Sequence, residues 1–593
     1  MFLTPGIDFL IRSSADYLFT SGIIYLILIL PKYYAKPNWY ISNWILVLSS
    51  FALRIGYRVA QPWIQEITNS KAARDRGAVL PPHVKENQIK LAKSLTQEPN
   101  VGYPQDTWSE LLNKYGNTFR FSIGLDETYF TTEPEHVKAM LSTEFDNFEK
   151  GPTWFEDAKS LFGTGVFNSD GDMWKFHRSI TRPFFAKDRI SDFELFERHT
   201  DEALRKAKAR LAEGYPIDFQ DLTARFTLDS ATDYLFGHDM CSLDANLPYP
   251  NNGSSAKGSR SSPASVDNHP SNLFVKSFLA GQELFAQRVL MGPLWPLAEL
   301  GKDKVLEQRN TLDEYVRPFL EKGINDKKNE MSEENEEKSF ESCGTLLDHL
   351  LRQTSDQTII MDEIFNLLLA GRDTTSSLLT FSLYMLIEHP DMERRLRQEI
   401  LETVGSDRCP TFEDLRKMRY LKAFLNEVLR LYAIVPLNNR MAIKPAVFAP
   451  PAGSDTALYI PARARIHFSV FLMHRRKDLW GPDALEFDPD RFLDHRVQKY
   501  LVPNPFIFCP FNAGPRICLG QQFAYNEASF FIVRLLQQFS GFELGDARQP
   551  PSSYPNPEWK GAEGPKGNDR IRLTYSVILF VRGGLWVKMK DAV

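Results

Sequence analysis

Ten residues near the C-terminal end, Phe511-Asn512-Ala513-Gly514-Pro515-Arg516-Ile517-Cys518-Leu519-Gly520, surround one cysteine with the groups a reactive sulfur needs. Gly514 and Gly520 give the backbone freedom to turn tightly and lie close to a flat ligand. Arg516 offers a planar, permanent cation suited to a carboxylate. Phe523, Ala524, Ala528, Phe531 and Leu535 then recur about once per helical turn, so a helix is predicted just after the cysteine. A sulfur at a helix N-terminus is favoured as the thiolate by orphan N–H groups and the helix dipole. The loop therefore reads as one that presents the Cys518 sulfur to a metal. Cys509, nearby, lacks the Gly-x-Arg approach and the helix start, and reads as packing.

A second constellation lies inside Ile364 to Leu386, a stretch apolar on nearly every face and so expected to be a buried helix. Its centre reads Ala370-Gly371-Arg372-Asp373-Thr374-Thr375. Gly371 leaves room beside the helix for a diatomic ligand, and the Thr374 hydroxyl can bond back to a carbonyl one turn earlier. Asp373 and Thr374 form an acid–alcohol pair suited to relaying protons. Such a polar run is locally unfavourable in a buried helix, which is where function is expected. Trp174 and Arg178 are four apart, and Glu427 and Arg430 three apart, so each pair shares a helix face.

These residues must be positioned by a body that is largely helical, with short strands expected at Thr118–Phe121, Thr128–Thr132, Arg440–Ile443 and Ala457–Ile460. A hairpin around Gly583-Gly584 is expected in the tail. The fold class is mainly α with small β-sheets (α+β). The chain has 593 residues and a net charge of −5, which argues against a basic nucleic-acid footprint. Five scattered cysteines without a CxxC pair suit neither a disulfide framework nor a zinc site. Leu18–Leu30 and Trp39–Leu53 are two apolar segments, each short of the roughly 20 residues that span a bilayer. Without a basic start and a small-residue cleavage site they read as a retained membrane anchor of one or two segments rather than a signal peptide. Arg54, Arg58, Lys71, Arg74 and Arg76 follow, placing the body on the cytosolic side. The expected organisation is an anchor over 1–60, a polar, proline-containing hinge over 61–89 and a catalytic domain over 90–593. Within the last, 248–270 reads as a flexible insertion and 325–338 as a charged loop or helix tip.

The Cys518 decapeptide resembles the haem-binding loop of the cytochrome P-450 family, and the Ala370–Thr375 run resembles that family's oxygen-binding helix. The order Trp174, Thr374, Glu427, Arg440, Arg491, Cys518 is similar to the family's order, and the resemblance covers roughly Lys90 to the C-terminus. It implies haem b, bound non-covalently since Ala370 stands where some relatives carry an esterifying glutamate, with Cys518 as axial ligand. It further implies that Phe511 and Gly520 line the haem, that Arg178, Arg440 and Arg516 hold its propionates with Trp174 as an indole donor, and that Arg491 in Phe487-Asp488-Pro489-Asp490-Arg491-Phe492 closes a structural cluster with Glu427 and Arg430.

Gln521-Gln522-Phe523-Ala524-Tyr525-Asn526-Glu527-Ala528 and Pro436-Leu437-Asn438-Asn439-Arg440 look most like the fungal alkane and fatty-acid hydroxylase branch. The implied function is a membrane-bound monooxygenase, at the endoplasmic reticulum, hydroxylating long aliphatic chains with O2. The chain has no GxGxxG or Walker run, so nicotinamide and flavin belong to another protein. The resemblance implies an NADPH–cytochrome P-450 reductase, with Lys175, Arg182 and Lys187 as candidate docking cations. Trp154, Phe162, Leu368, Leu369, Val435 and Leu437 are candidate substrate-pocket residues. Oxidation of aromatic or xenobiotic compounds is the alternative. An oxygen-independent isomerase or dehydratase is disfavoured by the Asp373-Thr374 pair, and a haem sensor would not need a reductase surface.

Overall fold

The structure, a computed structural model, describes residues 3–34, 41–124, 126–191, 193–250, 269–332, 345–545 and 551–592. Two long helices come first: α1 (Pro5–Tyr34) and α2 (Asn43–Arg74). They lie side by side. Arg54 reaches Asp16 at 2.7 Å, and the Tyr17 and Phe51 rings stack at 5.8 Å. Among the described residues, Pro5–Pro31 is the one helical stretch long and apolar enough to cross a membrane. The N-terminal end of α1 touches the body, where Thr4 Oγ1 donates to the Leu300 carbonyl at 2.7 Å.

The segment 61–89, expected as a hinge, is built into the fold. Helix α2 runs on through Pro62 to Arg74, and Ala78–Val79 pairs in parallel with Ala457–Leu458. The Pro82 carbonyl then accepts from the Arg120 N–H at 2.9 Å. A proline pair here serves a sheet edge, where the missing N–H costs nothing.

The body continues with β1 (Thr118–Ile123), β2 (Asp126–Thr131), β3 (Phe148–Glu149), α3 (Pro152–Phe162), α4 (Gly171–Thr181), α5 (Phe219–Phe236), α6 (Pro270–Met291), α7 (Lys304–Ser332), α8 (Gln357–Glu388), α9 (Arg419–Leu431), β4 (Leu437–Ala442), β5 (Arg465–Ser469) and α10 (Gln521–Gln538). The five strands form one sheet in the order β1-β2-β5-β4-β3, with β2 and β5 parallel and the other pairs antiparallel. Of the expected insertion, 251–268 lies outside the described residues. Of the charged run, 325–332 forms the end of α7 and 333–338 lies outside. The tail departs from expectation: the hairpin joins Leu573–Tyr575 to Leu579–Val581, while Gly583 and Gly584 turn the chain into a strand that pairs with Phe539–Leu544 and Ile217–Asp218.

Helix α8 organises the core. Asp356 caps it by accepting from the N–H groups of Thr358 and Ile359, and it stops before Pro390. Its 32 residues pack against α5, α9 and α10. Ile360–Leu369 contribute to one hydrophobic cluster with Phe162, Phe278 and Phe285, and Leu378–Ile387 to another with Phe226, Phe424 and Phe531. The polar run 370–377 falls where the two clusters part, so the helix is apolar at both ends and chemical in the middle.

Candidate active site

Helix α8 is sealed from Asp362 to Ile387 except at Ala370, Gly371 and Thr374, which keep accessible surface. These three positions fall on one face of a helix, so the middle of the buried helix opens on an internal recess along a single stripe. A Cβ on Gly371 would meet Ala231 at 3.2 Å, so α5 backs the helix closely there. Thr374 Oγ1 donates to the Ala370 carbonyl at 2.6 Å, the back-bond read from the sequence. Asp373 points elsewhere. It is buried, accepts from Gln282 Nε2 at 2.6 Å, and pairs with Arg372. Neighbours in a helix diverge by about 100°, so no hydrogen bond joins the two side chains among the described residues, unlike the paired arrangement expected. Leu368 and Leu369 are sealed in the core, which corrects their place as pocket residues.

Cys518 shows the same signature. It has accessible surface, yet protein surrounds it so closely that burial pushes its thiol pKa up, with the Gly520 N–H and the Arg178 charge pulling the other way. The sulfur thus opens on an internal recess rather than on bulk solvent. Its N–H donates to the Phe511 carbonyl at 2.9 Å. Helix α10 begins at Gln521, three residues past the cysteine. A metal held by this sulfur would keep it as the thiolate, since a coordinating thiol is deprotonated outright. Cys509, by contrast, is buried with its Sγ 3.3 Å from the Phe506 carbonyl, and burial pushes it up to about 12.

Gly514 has φ +65°, and a Cβ on it would sit 1.7 Å from the Leu141 carbonyl oxygen. No other residue fits. Gly520 differs from expectation: its φ of −82° is open to any residue, and a Cβ would meet Phe185 at 3.5 Å and Cys518 Sγ at 4.0 Å. Its small size matters only through what lies beside the sulfur. The Phe511 ring is half-buried against Tyr525, 5.1 Å between centroids.

Around the loop stand more cations than anions. Arg516 donates to the Ser169 carbonyl at 3.1 Å and to Asp170 at 2.5 Å. Its guanidinium lies 4.5 Å over the buried Trp174 ring, and that of Arg178 lies 5.9 Å from it. Arg440 is fully buried. Only its Nη1 is bonded, to Asn438 and the Asn439 carbonyl, while Nε and Nη2 have no partner. Burial, reinforced by Arg516, pushes Arg440 down to about 9. Lys150, which sequence reasoning passed over, joins them: its amine bonds Asn438 at 3.2 Å, and burial with Arg440 and Arg516 holds it well below the usual lysine range. Asp170, also missed, collects Arg516 and the N–H groups of Lys150 and Gly151. Nothing in Lys150-Gly151-Pro152 marks the lysine by spacing; only the fold brings it beside the two arginines.

Beneath the loop, Glu427 takes Arg430 through two bonds of 2.7 and 2.8 Å and Arg491 at 3.4 Å, all three buried. Their remaining donors serve the carbonyls of His474, Trp480, Asp483, Ala484 and Glu486. Elsewhere, Trp154 packs edge-on against Phe285 at 5.3 Å, as does Phe162, and Val435 and Leu437 are half-buried. Lys175 is exposed and pairs with Asp172, and Arg182 is exposed; the side chain of Lys187 lies outside the described residues.

The residues present fit a haem. One sulfur faces the recess, a glycine cradle lies next to it, and Lys150, Arg440, Arg516 and Arg178 carry unspent donors and charge suited to two propionates. The Cytochrome P450 family model matches residues 93–568. Cytochrome P450 52A13 of Debaryomyces hansenii is 32% identical over 86% of this chain and 94% of its own. Cytochrome P450 52-M1 of Starmerella bombicola is 33% identical over 77% and 83%. Cytochrome P450 monooxygenase g430 of a Fusarium species is 32% identical over 85% and 86%. A cysteine, a cation ring and a pierced helix in the family's order, together with these matches, make this chain a member of the cytochrome P450 family, a haem-thiolate monooxygenase.

Proposed function

We propose that this chain hydroxylates long aliphatic molecules while anchored in the endoplasmic reticulum membrane with its body in the cytosol. Haem held by a thiolate supplies O2 activation and insertion of one oxygen atom into a C–H bond. The protein's residues do the rest. Cys518 supplies the ligand. Lys150, Arg440 and Arg516 neutralise the propionates, and Arg178, placed by its charge near Cys518, is the fourth cation there. Thr374, on the accessible stripe, holds a proton at its hydroxyl and passes it by leaving the Ala370 carbonyl. Asp373, buried against Gln282 and Arg372, is the carboxylate that brings protons inward by rotating between its partners. Burial keeps bulk water from the Asp373 carboxylate.

The single observation that carries this reading is the accessible Ala370–Gly371–Thr374 stripe in an otherwise sealed apolar helix. The candidate pocket residues Trp154, Phe162, Val435 and Leu437 are aromatic or aliphatic, which suits a hydrocarbon chain better than a polar molecule. Likeness to the fungal alkane and fatty-acid hydroxylase branch at Pro436–Arg440 and Gln521–Ala528 supports the aliphatic substrate. Electrons come from NADPH through a reductase docking on the Cys518 side, where Lys175 and Arg182 are exposed. The test is product analysis with reductase, NADPH and a mixture of alkanes, fatty acids and polycyclic aromatics. Hydroxylated aliphatic products are expected; exclusive oxidation of the aromatics overturns the substrate, and NADPH-independent conversion overturns the reaction.

A further inference from the structure

Helices α1 and α2 lie antiparallel: Asp16 meets Arg54, and Tyr17, one residue further on, meets Phe51, three residues further back. Both arms are fixed to the body at the same end of the pair. On α1, Thr4 holds the Leu300 carbonyl, and a Cβ on Gly6 would lie 2.7 Å from both the Leu300 Cα and the Pro296 carbonyl oxygen. Only glycine lets the start of α1 seat so closely. On α2, Glu66 accepts from Arg120 of β1 at 2.8 Å, and Ala73 is buried. From these two attachments the arms reach away side by side. At about 1.5 Å per residue, α1 is roughly 45 Å long and α2 covers roughly 35 Å between Asn43 and Glu66. Each is enough for the roughly 30 Å of a bilayer's hydrocarbon.

The outer surface of the pair is apolar. Leu18, Phe19 and Leu26 of α1 and Leu48, Leu53 and Ile55 of α2 are all exposed. Ser21 and Ser50 are sealed, at 2% and 1% exposure, small residues of the kind that let helices approach closely in lipid. Large apolar groups outside and small polar ones inside is the reverse of a helix pair made for water. Arg54 and Arg58 stand against α2 as a span by itself, and α1 is the one helix that qualifies alone. Arg54, however, is only 13% exposed, and Asp16 at the rim of the seam meets its charge at 2.7 Å. A charge in a bilayer is tolerated when it is paired in this way, so α2 can go where α1 goes. Arg12, Arg54, Arg58, Lys71, Arg74 and Arg76 lie toward the body, whereas Lys32 and Lys36 are the only cations between Tyr17 and Phe51. That bias favours the body's side as the cytosolic one for both arms.

A lone α1 crossing the bilayer would set Thr4 a membrane's thickness away from Leu300. We propose that α1 and α2 enter the bilayer together as a helical hairpin, joined by the Asp16–Arg54 pair, so that the N-terminus lies on the same side as the haem-binding body. The partner of the exposed apolar surface is the acyl layer of the lipid. This rests on the membrane-anchored, cytosolic reading above and adds the path the chain takes.

The experiment uses the full chain in fungal microsomes, with one epitope tag before Met1 and another after Val593, each on a short Gly-Ser spacer. Protease is added to intact vesicles and, separately, with detergent. Both tags are expected to be cut without detergent. An N-terminal tag protected until detergent is added, beside a C-terminal tag that is cut, overturns the hairpin and leaves the anchored, cytosolic body standing. Protection of both tags supports the shared side and overturns the cytosolic placement. Release of the chain by alkaline carbonate overturns the anchor and the hairpin together. Asp16→Leu leaves Arg54 without its anion and should raise the protected share of N-terminal tags several-fold, as α2 withdraws and α1 crosses alone. Adding Arg54→Leu to it should restore full cleavage. An unchanged protected share in Asp16→Leu overturns the ion pair as the link between the arms.

Discussion

The backbone N–H of Cys509 donates to Nε2 of His474 at 3.0 Å, and the carbonyl of His474 accepts from Arg430 at 2.8 Å. His474 is fully buried. Burial, seconded by the charge of Arg430, pushes it down to about 3, so the ring is neutral and keeps a lone pair for Cys509. Two bonds thus tie the start of the cysteine loop to the Glu427–Arg430–Arg491 cluster. His474→Leu leaves the Cys509 N–H buried without an acceptor, a loss of about 1–3 kcal/mol. The expected outcome is a lower melting temperature and a lower haem-to-protein ratio after gel filtration, with partial recovery in His474→Gln.

Cys518→Ser should abolish the thiolate-type, red-shifted Soret band of the reduced carbon monoxide complex. Cys509→Ser, which changes a sulfur that only packs, should keep it. A band lost in the Cys509 variant and kept in the Cys518 variant reverses the ligand assignment.

The two loop glycines should part company. Gly514→Ala places a methyl 1.7 Å from a carbonyl oxygen at a positive φ, so the loop must unfold locally and haem-loaded protein is lost. Gly520→Ala meets neighbours at ordinary contact distance and should load haem, with a shifted reduction potential as its only clear effect, because the new methyl lies beside the sulfur. Equal haem content in both variants contradicts the cradle.

Thr374→Ala should retain haem and substrate binding but release reducing equivalents as peroxide. General acid–base assistance contributes about 10²–10⁴-fold in rate, so product per NADPH should fall clearly. Asp373→Asn should slow turnover instead, since the carboxylate acts one step further out, between Gln282 and Arg372. Unchanged coupling in Thr374→Ala would show that its back-bond to Ala370 serves only the helix.

Glu527 gives a pH signature. Burial pushes its carboxyl from 4.5 up to about 8, with the hydroxyls of Ser230 and Thr375 drawing it back. Between those values the native state keeps a proton that the unfolded state has lost. The associated stability is complete below about pH 4.5 and drains away as pH rises to about 8, on the order of 1.4 kcal/mol per pH unit. Glu527→Gln should flatten the fall of the urea midpoint between those limits. Parallel profiles for variant and wild type would place Glu527 outside the pH response.

What could be read from the sequence was what recurs locally. The α8 and α10 helices follow from apolar spacing, and Cys518, Arg516, Glu427 and Arg430 from short motifs whose members lie within one turn or one loop. What could not be read was direction and long-range company. Leu368 is apolar and next to the chemical run, but rotation about the helix seals it in the core while Ala370 and Thr374 stay accessible. Asp373 adjoins Thr374 in sequence, and that same rotation turns it to Gln282 on a different helix. Lys150 meets Arg440 only because β3 and β4 are neighbours, a pairing that joins residues about 290 positions apart. Pro81-Pro82 suggested a loose connection, yet a position at a sheet edge lets proline sit inside regular structure.

The bond between Thr4 and Leu300 spans 296 positions, so during synthesis the two ends are made at very different times. At roughly 10 residues per second, Leu300 emerges on the order of half a minute after Thr4. When α1 is made, its landing place on Gly292–Leu300 does not yet exist. The anchor must therefore wait for the body rather than guide its folding. Contact between them can close only after the segment Gly292–Leu300 has been made. The consequence is a late brace: a chain shortened before residue 5 is expected to lose the Thr4 bond to the segment that holds Trp295.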